Sequence, residues 1–283
     1  MDLIQEYKNK TSLITIIHAQ MKKENEAEKG KHNPKKFYPS SAGMCSRRIV
    51  YQMMGFPGDD PDGRLLLIFE NGNYYHNRIE TVLGNTGLLI APELSFKKEE
   101  WRISGRSDAV IYNFLPHESS DNIITLTEPI YQLDDSGEAV RDEDGHRIET
   151  GTKTLFTGPD NDIMIVELKS ISDSGFKYLD RTGGKDTHKK QLQLYMYLTG
   201  IKIGMLLYEN KNTQEMKEYI LPYDPVLAQE VVDQIILVNK CVDEGTFPDK
   251  EYDQLSFECR YCPYSNICWP IKNQFVIEDV MKY

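Results

Sequence analysis

The sequence predicts an α/β fold in which a mixed β-sheet is flanked by helices. Helical patterns alternate with strand-like pieces along the chain, and residues 162–169 form an apolar run typical of a buried strand. The 283 residues are sufficient for one large hydrophobic core. We expect one domain at 37–283, preceded by a helical extension at 1–36, and the sequence shows no internal repeat.

The N-terminal half is expected to begin with helices and continue into strands. Residues 1–30 place apolar and charged residues at helical spacing and lead into a basic loop. Helices are predicted from Cys45 to Met54 and from Leu66 to Leu83, separated by the turn-forming segment FPGDDPDG. Strands at 88–96 and 101–112, joined by the polar KKEE, are predicted to form a hairpin.

The C-terminal half completes the predicted sheet after an acidic insertion at 115–161. This insertion contains its own alternating pieces, which indicate an inserted hairpin rather than a further domain. The segment GFKYLDRTGGKDTHKK is interpreted as a loop around the start of the next helix. The remaining predicted elements are a strand at 162–169, a helix at 185–199, strands at 202–209 and 215–221, and a helix at 225–244.

The charge balance limits the classes of partner. A net charge of −11 argues against a general polyanion-binding surface, although a metal-dependent enzyme needs acids and local basic patches can hold phosphates. No segment has the apolar length of a membrane span, and the N-terminal residues lack the pattern of a signal peptide. We therefore expect no membrane association and a cytoplasmic location.

Two carboxylates and a lysine near the ends of predicted strands are the strongest catalytic signal. Asp108 ends the segment GRSD, and Glu167 and Lys169 share one face of their strand because side chains alternate. Converging carboxylates suit Mg²⁺ or Mn²⁺, and the lysine could position a water or stabilise charge on phosphorus. Taken singly, each residue would more often be an ordinary strand-end charge.

Further residues could complete such a site. His76 lies within a predicted helix, where its imidazole could bind the same metal, and Glu93 could add a nearby carboxylate. Gln191 and Tyr195 lie one helical turn apart and share a face, so they could grip a phosphate or a base. The alternative for this pair is a buried tyrosine on an amphipathic helix.

The cysteines indicate a metal rather than disulfides. Three of the five, Cys259, Cys262 and Cys268, lie within ten residues, and Cys45 is more than two hundred residues earlier. Four thiolates suit either tetrahedral zinc or a [4Fe–4S] cluster, and the spacing alone slightly favours zinc. Cys241 is expected to be a buried thiol. A metal joining Cys45 to the C-terminal segment would clasp the two ends of the chain and support folding.

Taken in this order, these residues resemble the RecB-like PD-(D/E)XK nucleases over residues 37–270. The branch of this family that the chain resembles carries a four-cysteine iron–sulfur cluster. It includes the CRISPR-associated nucleases and the AddB nuclease domain. The resemblance implies a restriction-endonuclease-like core with a C-terminal iron–sulfur clasp. Ser107 departs from the family pattern, because the family name has proline at this position. The implied site residues are a [4Fe–4S] cluster on Cys45, Cys259, Cys262 and Cys268, and Mg²⁺ or Mn²⁺ on His76, Asp108, Glu167 and the carbonyl of Leu168, with Lys169 catalytic and Gln191 and Tyr195 orienting the substrate.

The function implied by the resemblance is a metal-dependent DNA exonuclease. It would act on single-stranded ends during recombination, repair or replication in a bacterial or phage-infected cell, with a helicase or a recombination or replication partner. Two alternatives remain open: a catalytically silent DNA-binding scaffold, and a zinc-stabilised endonuclease. Aromatic residues Phe176, Tyr178 and Tyr195 could stack on unpaired bases. The residues expected to contact DNA phosphates are Arg47, Arg48, Arg106, Lys177, Arg181, Lys185, Lys189 and Lys190.

Overall fold

The computed structural model describes residues 12–28, 35–142 and 147–269. Parts of four predicted segments fall outside these ranges: the start of the N-terminal helical segment, the first half of the basic loop, the centre of the acidic insertion and the C-terminal end of the predicted domain. Strands β1 to β9 span Leu89–Pro92, Ser95–Lys98, Ile103–Arg106, Ala109–Tyr112, Ile123–Tyr131, Glu149–Pro159, Ile163–Ile171, Ile203–Asn210 and Met216–Pro222. Helices α1 to α8 span Leu13–Glu28, Ser46–Met53, Gly63–Thr86, Asp173–Thr182, Asp186–Thr199, Pro225–Glu244, Phe257–Arg260 and Ser265–Cys268.

The centre of the fold is a five-stranded mixed sheet in the order β1-β4-β7-β8-β9. Strands β7 and β8 run parallel, and the other neighbouring pairs are antiparallel. Helices α4 and α5 together form the crossover between the parallel strands, as such a connection requires. The predicted α/β architecture with a mixed sheet flanked by helices is therefore confirmed.

Strand β7 is buried on both faces, which explains its continuous apolar run. Ile163 and Ile165 pack in a cluster with side chains from α4 and α5, whereas Met164 and Val166 pack with side chains from α3 on the other face. Burial of each such side chain stabilises the fold by roughly 1.5–3 kcal/mol. The strand therefore holds its C-terminal residues in a rigid part of the molecule.

The predicted hairpin at 88–112 is present, but each of its strands is broken in two. The inner halves, β1 and β4, belong to the central sheet, and the outer halves, β2 and β3, form a separate two-stranded sheet. The break in the first strand falls at Glu93, whose φ is +49°, and the break in the second falls at Ser107 and Asp108. The prediction of two continuous strands was therefore wrong, and the second strand is interrupted at Asp108.

The segment GFKYLDRTGGKDTHKK is not a continuous loop, because its first half belongs to helix α4 and its last five residues belong to helix α5. Ser172 caps this helix by accepting a hydrogen bond from the Gly175 amide at 3.4 Å, and Gly183 ends it at φ +59°. Phe176 and Leu179 are buried against the sheet. The numerous charges of the segment hide this short amphipathic pattern in the sequence.

A second packed region joins the N- and C-terminal parts of the domain. Helix α6 buries Val231, Ile235 and Val238 in a cluster with Ile49 and Val50 of α2. Cys241 is buried in the same cluster, as expected for a thiol that packs as an apolar side chain. The long helix thus fixes α2 in the same cluster as Leu194 of α5, and with α2 the neighbouring Cys45.

The acidic insertion forms the predicted hairpin. Strands β5 and β6 pair antiparallel over their length as a separate two-stranded sheet, and Leu126 reaches the core beside the central sheet. Helix α1 has no buried residue along its length. Across the described ranges, every helix falls short of the apolar length needed to cross a membrane.

Candidate active site

The central sheet brings Asp108 and Glu167 together. Ala109 of β4 pairs with Val166 of β7 in an antiparallel register, so the residues one step further, Asp108 and Glu167, face each other across the two strands. Asp108 Oδ2 accepts a hydrogen bond from the Leu168 amide at 2.7 Å, which anchors the carboxylate at the end of the ladder. The expected convergence of the two acids is therefore present, although they are separated by 59 positions in the sequence.

Glu167 is a fully buried carboxylate with one unsatisfied oxygen. Its side chain is 0% exposed; Oε1 accepts a hydrogen bond from Lys169 Nζ, whereas Oε2 is buried without a hydrogen-bond partner. Burial, reinforced by the nearby charge of Asp108, raises the pKa of Glu167 to about 7. A buried oxygen of this kind is costly to leave unpaired, and a cation is a suitable partner for it.

Lys169 is held in its charged form by the same acids. Burial by itself would lower the pKa of Lys169, but the charges of Glu167 and Asp108 outweigh burial and raise that pKa above its ordinary value. The lysine therefore carries a proton across the physiological pH range. It supplies a fixed positive charge next to the two carboxylates.

Helix α3 adds an imidazole and a further carboxylate to this group. His76 Nδ1 lies 3.3 Å from Asp108 Oδ1, and the hydrogen bond and charge of Asp108 raise the pKa of His76 although burial alone would lower it. Glu80 lies one turn along the same helix, and burial followed by the charge of Glu93 raises its pKa. Sequence reasoning missed Glu80, although its i+4 spacing from His76 could have indicated a shared face.

These residues fit a divalent metal in donor type. Carboxylate oxygens and a neutral imidazole nitrogen are the ligands that Mg²⁺ or Mn²⁺ sites use, and Glu167 Oε2 is a buried oxygen in need of a cation. Within the described ranges, however, no three His, Cys, Asp or Glu side chains are grouped closely enough to hold a metal ion as they stand. Asp108 instead contacts His76 and Leu168, and Glu167 contacts Lys169.

Gln191 and Tyr195 support the GRSD segment from within the core. Both are buried on α5, and Gln191 Nε2 donates a hydrogen bond to the Tyr195 hydroxyl at 3.0 Å. That hydroxyl donates in turn to the Arg106 carbonyl at 2.7 Å. These contacts hold the backbone two residues before Asp108, so the pair positions the carboxylate. A direct contact of Gln191 or Tyr195 with substrate stays a prediction.

The backbone amide at position 107 makes a hydrogen bond that a proline could not make. The Ser107 amide donates a hydrogen bond to the Leu94 carbonyl at 2.9 Å. This bond links the interruption between β3 and β4 to the interruption between β1 and β2. A proline at this position has no amide hydrogen and would lose this bond. The departure from the family pattern therefore keeps a backbone contact next to Asp108.

Most of the predicted phosphate-binding cations already have protein partners. Arg106 pairs with Glu93, Lys177 with Asp173, and Lys190 with Glu230. Among the three aromatic residues expected to stack on bases, Phe176 and Tyr195 are buried and only Tyr178 is exposed. The stacking prediction was therefore wrong for the two buried rings, because they serve the hydrophobic core.

The remaining residues predicted to bind phosphate differ in whether their side chains contact other groups of the protein. Arg47 donates to the Pro248 carbonyl at 2.8 Å and lies over the Phe247 ring, so it holds the C-terminal segment. Lys189 donates to the Thr182 carbonyl at 2.7 Å. Within the described part of the chain, Arg48, Arg181 and Lys185 have side chains without an ion-pair partner.

Four cysteines line one cavity between the two ends of the domain. Cys45, Cys259, Cys262 and Cys268 all contribute to a cavity of about 530 Å³, and all are free thiols. Burial is the largest cause that raises the pKa of Cys45 and of Cys268, and the charge of Cys262 adds to both shifts. The thiols are thus neighbours, although they do not form a ready metal-binding group in the described residues.

Aromatic and backbone contacts bring the C-terminal cysteines to the helix that follows Cys45. The rings of Tyr51 and Tyr264 stack with their centroids 5.6 Å apart. The Asp59 amide donates to the Pro263 carbonyl at 2.8 Å. The predicted meeting of the two ends of the domain is therefore present in the structure.

Comparison with known proteins gives one family match and several distant structural likenesses. Residues 157–269, roughly two fifths of the chain, match the model of the PD-(D/E)XK nuclease superfamily. The matched segment includes Glu167, Lys169 and the three C-terminal cysteines, whereas Asp108 and His76 lie before it. Among curated proteins, none matches the sequence significantly.

Solved structures similar to the chain include the following three, which all have TM-scores below 0.5. The structure of SSO0001 has a TM-score of 0.47 and 18% identity, covering 91% of this chain and 96% of the other. LHK-Exo in complex with dAMP has a TM-score of 0.44 and 10% identity, covering 75% and 90%. The alkaline exonuclease LHK-Exo from Laribacter hongkongensis has a TM-score of 0.38 and 11% identity, covering 75% and 90%.

Proposed function

We propose that this chain, which carries a PD-(D/E)XK nuclease superfamily domain, is a metal-dependent nuclease that hydrolyses DNA phosphodiester bonds. The observation that carries the proposal is the buried Glu167 carboxylate, which has one unpaired oxygen and lies between Asp108 and the charged Lys169. A buried carboxylate with an unpaired oxygen lowers the stability of the folded protein. It is useful when a cation and a phosphate complete the site.

Each residue has a distinct role in the proposed reaction. His76, Asp108 and Glu167, with the Leu168 carbonyl, would hold Mg²⁺ or Mn²⁺, and the bound ion supplies Lewis-acid stabilisation of negative charge on the phosphate. Lys169 places its ammonium beside Glu167, where it can orient the attacking water and stabilise charge on phosphorus. Tyr195 and Gln191 fix the GRSD backbone and so set the position of Asp108.

We further propose the finer assignments that the family resemblance implies. The nuclease is an exonuclease on single-stranded DNA ends, and it acts with a helicase or a recombination or replication partner in the cytoplasm of a bacterial or phage-infected cell. The four thiols around the shared cavity would hold a [4Fe–4S] cluster, with zinc as the alternative for the same donor set. Either metal would close the chain between Cys45 and the C-terminal segment.

Digestion of end-labelled DNA tests the proposal. Purified protein is incubated with single- and double-stranded DNA in the presence of Mg²⁺, Mn²⁺ or a chelator, and the products are sized. We expect metal-dependent release of nucleotides from the wild type and a loss of at least a thousandfold in Glu167→Gln. Products that shorten progressively from one end identify an exonuclease, whereas internal fragments identify an endonuclease.

Asp160→Asn is the matched control for the loss of a buried carboxylate. Asp160 is 3% exposed and accepts a hydrogen bond from Asn122 at 2.7 Å, and it lies in the turn before β7, seven positions before Glu167. We expect this variant to keep its activity. If wild type and Glu167→Gln are equally inert while both bind DNA, the catalytic proposal fails and a DNA-binding scaffold is the correct description.

A further inference from the structure

Two lysines near the proposed catalytic residues are free of protein partners. Lys185 immediately precedes α5 and Lys211 immediately follows β8, and both side chains reach solvent, Lys185 while partly covered by neighbouring residues. Neither side chain makes a hydrogen bond or an ion pair with any residue in the described ranges. The neighbouring Lys177 and Lys190, in contrast, each pair with a carboxylate.

Backbone contacts place both lysines close to Lys169. Tyr208 lies opposite Lys169 in the parallel register of β7 and β8, and its hydroxyl accepts a hydrogen bond from the Lys185 amide at 3.1 Å. The Lys211 amide donates to the Ile171 carbonyl at 2.9 Å, two residues beyond Lys169 on β7. The three lysines therefore lie near one end of the parallel strand pair.

The electrostatics of this region agree with that placement. Partial burial, followed by the charges of Lys211 and Lys169, lowers the pKa of Lys185. His188 contacts the Tyr208 hydroxyl at 2.9 Å, and burial followed by the charges of Lys169 and Lys185 lowers its pKa to about 3. His188 is therefore neutral, and the excess positive charge belongs to the lysines.

We propose that Lys185 and Lys211 form a subsite for a nucleic-acid backbone phosphate next to the scissile one. The inference rests on the proposed nuclease function. Lys169 is already paired with Glu167, so the two free ammonium groups are the ones available to an additional anion. A phosphate there relieves the mutual repulsion of the lysines and is bound without regard to base sequence. The substrate class is therefore an oligonucleotide with at least two consecutive phosphates.

Substrates with one or two phosphates provide the main test. TpT contains a single phosphodiester, and TpTpT adds one neighbouring phosphate. For Lys211→Ala and Lys185→Ala we expect the KM for TpTpT to rise about fivefold to tenfold with kcat nearly unchanged, since one charge contact is lost. Hydrolysis of TpT stays at the wild-type rate. Lys211→Arg, which keeps the charge, restores most of the affinity for TpTpT.

A neutral phosphate and a remote lysine supply the controls. TpTpT with one methylphosphonate linkage keeps one cleavable bond and removes the neighbouring charge, so wild type and Lys211→Ala become equal on it. Lys240→Ala removes an exposed lysine on α6 that approaches only Glu244, at 4.0 Å, and behaves like wild type on every substrate. Equal losses on TpT and TpTpT, or a persistent difference on the methylphosphonate, overturn the subsite.

Binding measurements separate failure of the subsite from failure of the nuclease. Glu167→Gln and Glu167→Gln/Lys211→Ala are titrated with fluorescent oligothymidylate, and anisotropy gives Kd as a function of salt. We expect the second substitution to weaken binding and to reduce the salt slope by roughly 0.7, the value for one phosphate contact on a single strand. If no variant hydrolyses DNA but this difference is present, the nuclease proposal fails while the phosphate subsite stands. If the two affinities are equal, the subsite fails.

Discussion

The protonation of Glu167 should control how tightly the chain binds a divalent cation. The pKa of this carboxyl is raised from 4.5 to about 7 by burial, so a cation competes with a proton for the same group in the physiological range. The ionised fraction rises from about one tenth at pH 6 to about nine tenths at pH 8. We therefore expect the affinity for Mn²⁺ to rise about tenfold over this interval. The pKa of His76 is also raised. Because a neutral imidazole binds the metal, loss of its proton with rising pH also increases the affinity for Mn²⁺.

The same shift has a defined effect on stability. Because the folded pKa of Glu167 exceeds the ordinary value of 4.5, the folded state retains a proton that the unfolded state loses. Without metal, the free energy of unfolding falls as the pH rises from about 4.5 to about 7, by about 3 kcal/mol at most from this group. A bound cation offsets this loss, so Mn²⁺ should raise Tm more at pH 8 than at pH 6.

Calorimetric titration of Mn²⁺ at pH 6, 7 and 8 measures the effect. Repeating the titration in buffers with different ionisation enthalpies counts the protons released, which should approach one from Glu167 at pH 6. In Glu167→Gln the carboxyl contribution disappears and only the weaker dependence from His76 remains, whereas Asp160→Asn keeps the full dependence. An Mn²⁺ affinity that differs by less than twofold between pH 6 and pH 8 in the wild type would refute the reasoning.

Three further predictions concern positioning, stability and the cysteine cavity. Tyr195→Phe removes the donor to the Arg106 carbonyl and should cost about 1–2 kcal/mol in urea unfolding, with a fall in nuclease rate; unchanged stability and rate would contradict a positioning role. Asp224→Ala removes the N-cap of α6 and should lower the free energy of unfolding by about 1 kcal/mol without changing the nuclease rate. A loss of activity at full stability would count against this reasoning. Anaerobically purified protein should absorb near 400 nm, and Cys262→Ser should abolish this absorbance while Cys241→Ser keeps it; stoichiometric zinc without the absorbance would instead identify a zinc site.

The sequence determined the class of fold and the chemistry available to it. Period-two and period-3.6 patterns are local, so they identified the hairpin, the buried strand β7 and the long helix α6 with its first and last residues. The residue types at Asp108, Glu167 and Lys169 are likewise visible without a structure. The segment of α4 was missed because its charged residues outnumber the two apolar residues that it buries.

Only the tertiary structure decided which of these groups meet and what each one does. The antiparallel register of β4 and β7 places Asp108 opposite Glu167, and a register depends on pairing between strands far apart in the chain. Burial is also a property of the packed fold, and it leaves one oxygen of Glu167 unpaired. Packing also places the Tyr195 hydroxyl against the Arg106 carbonyl. It leaves the side chain of Lys211, a residue that belongs to no recognisable motif, without a partner among the described residues beside the proposed site.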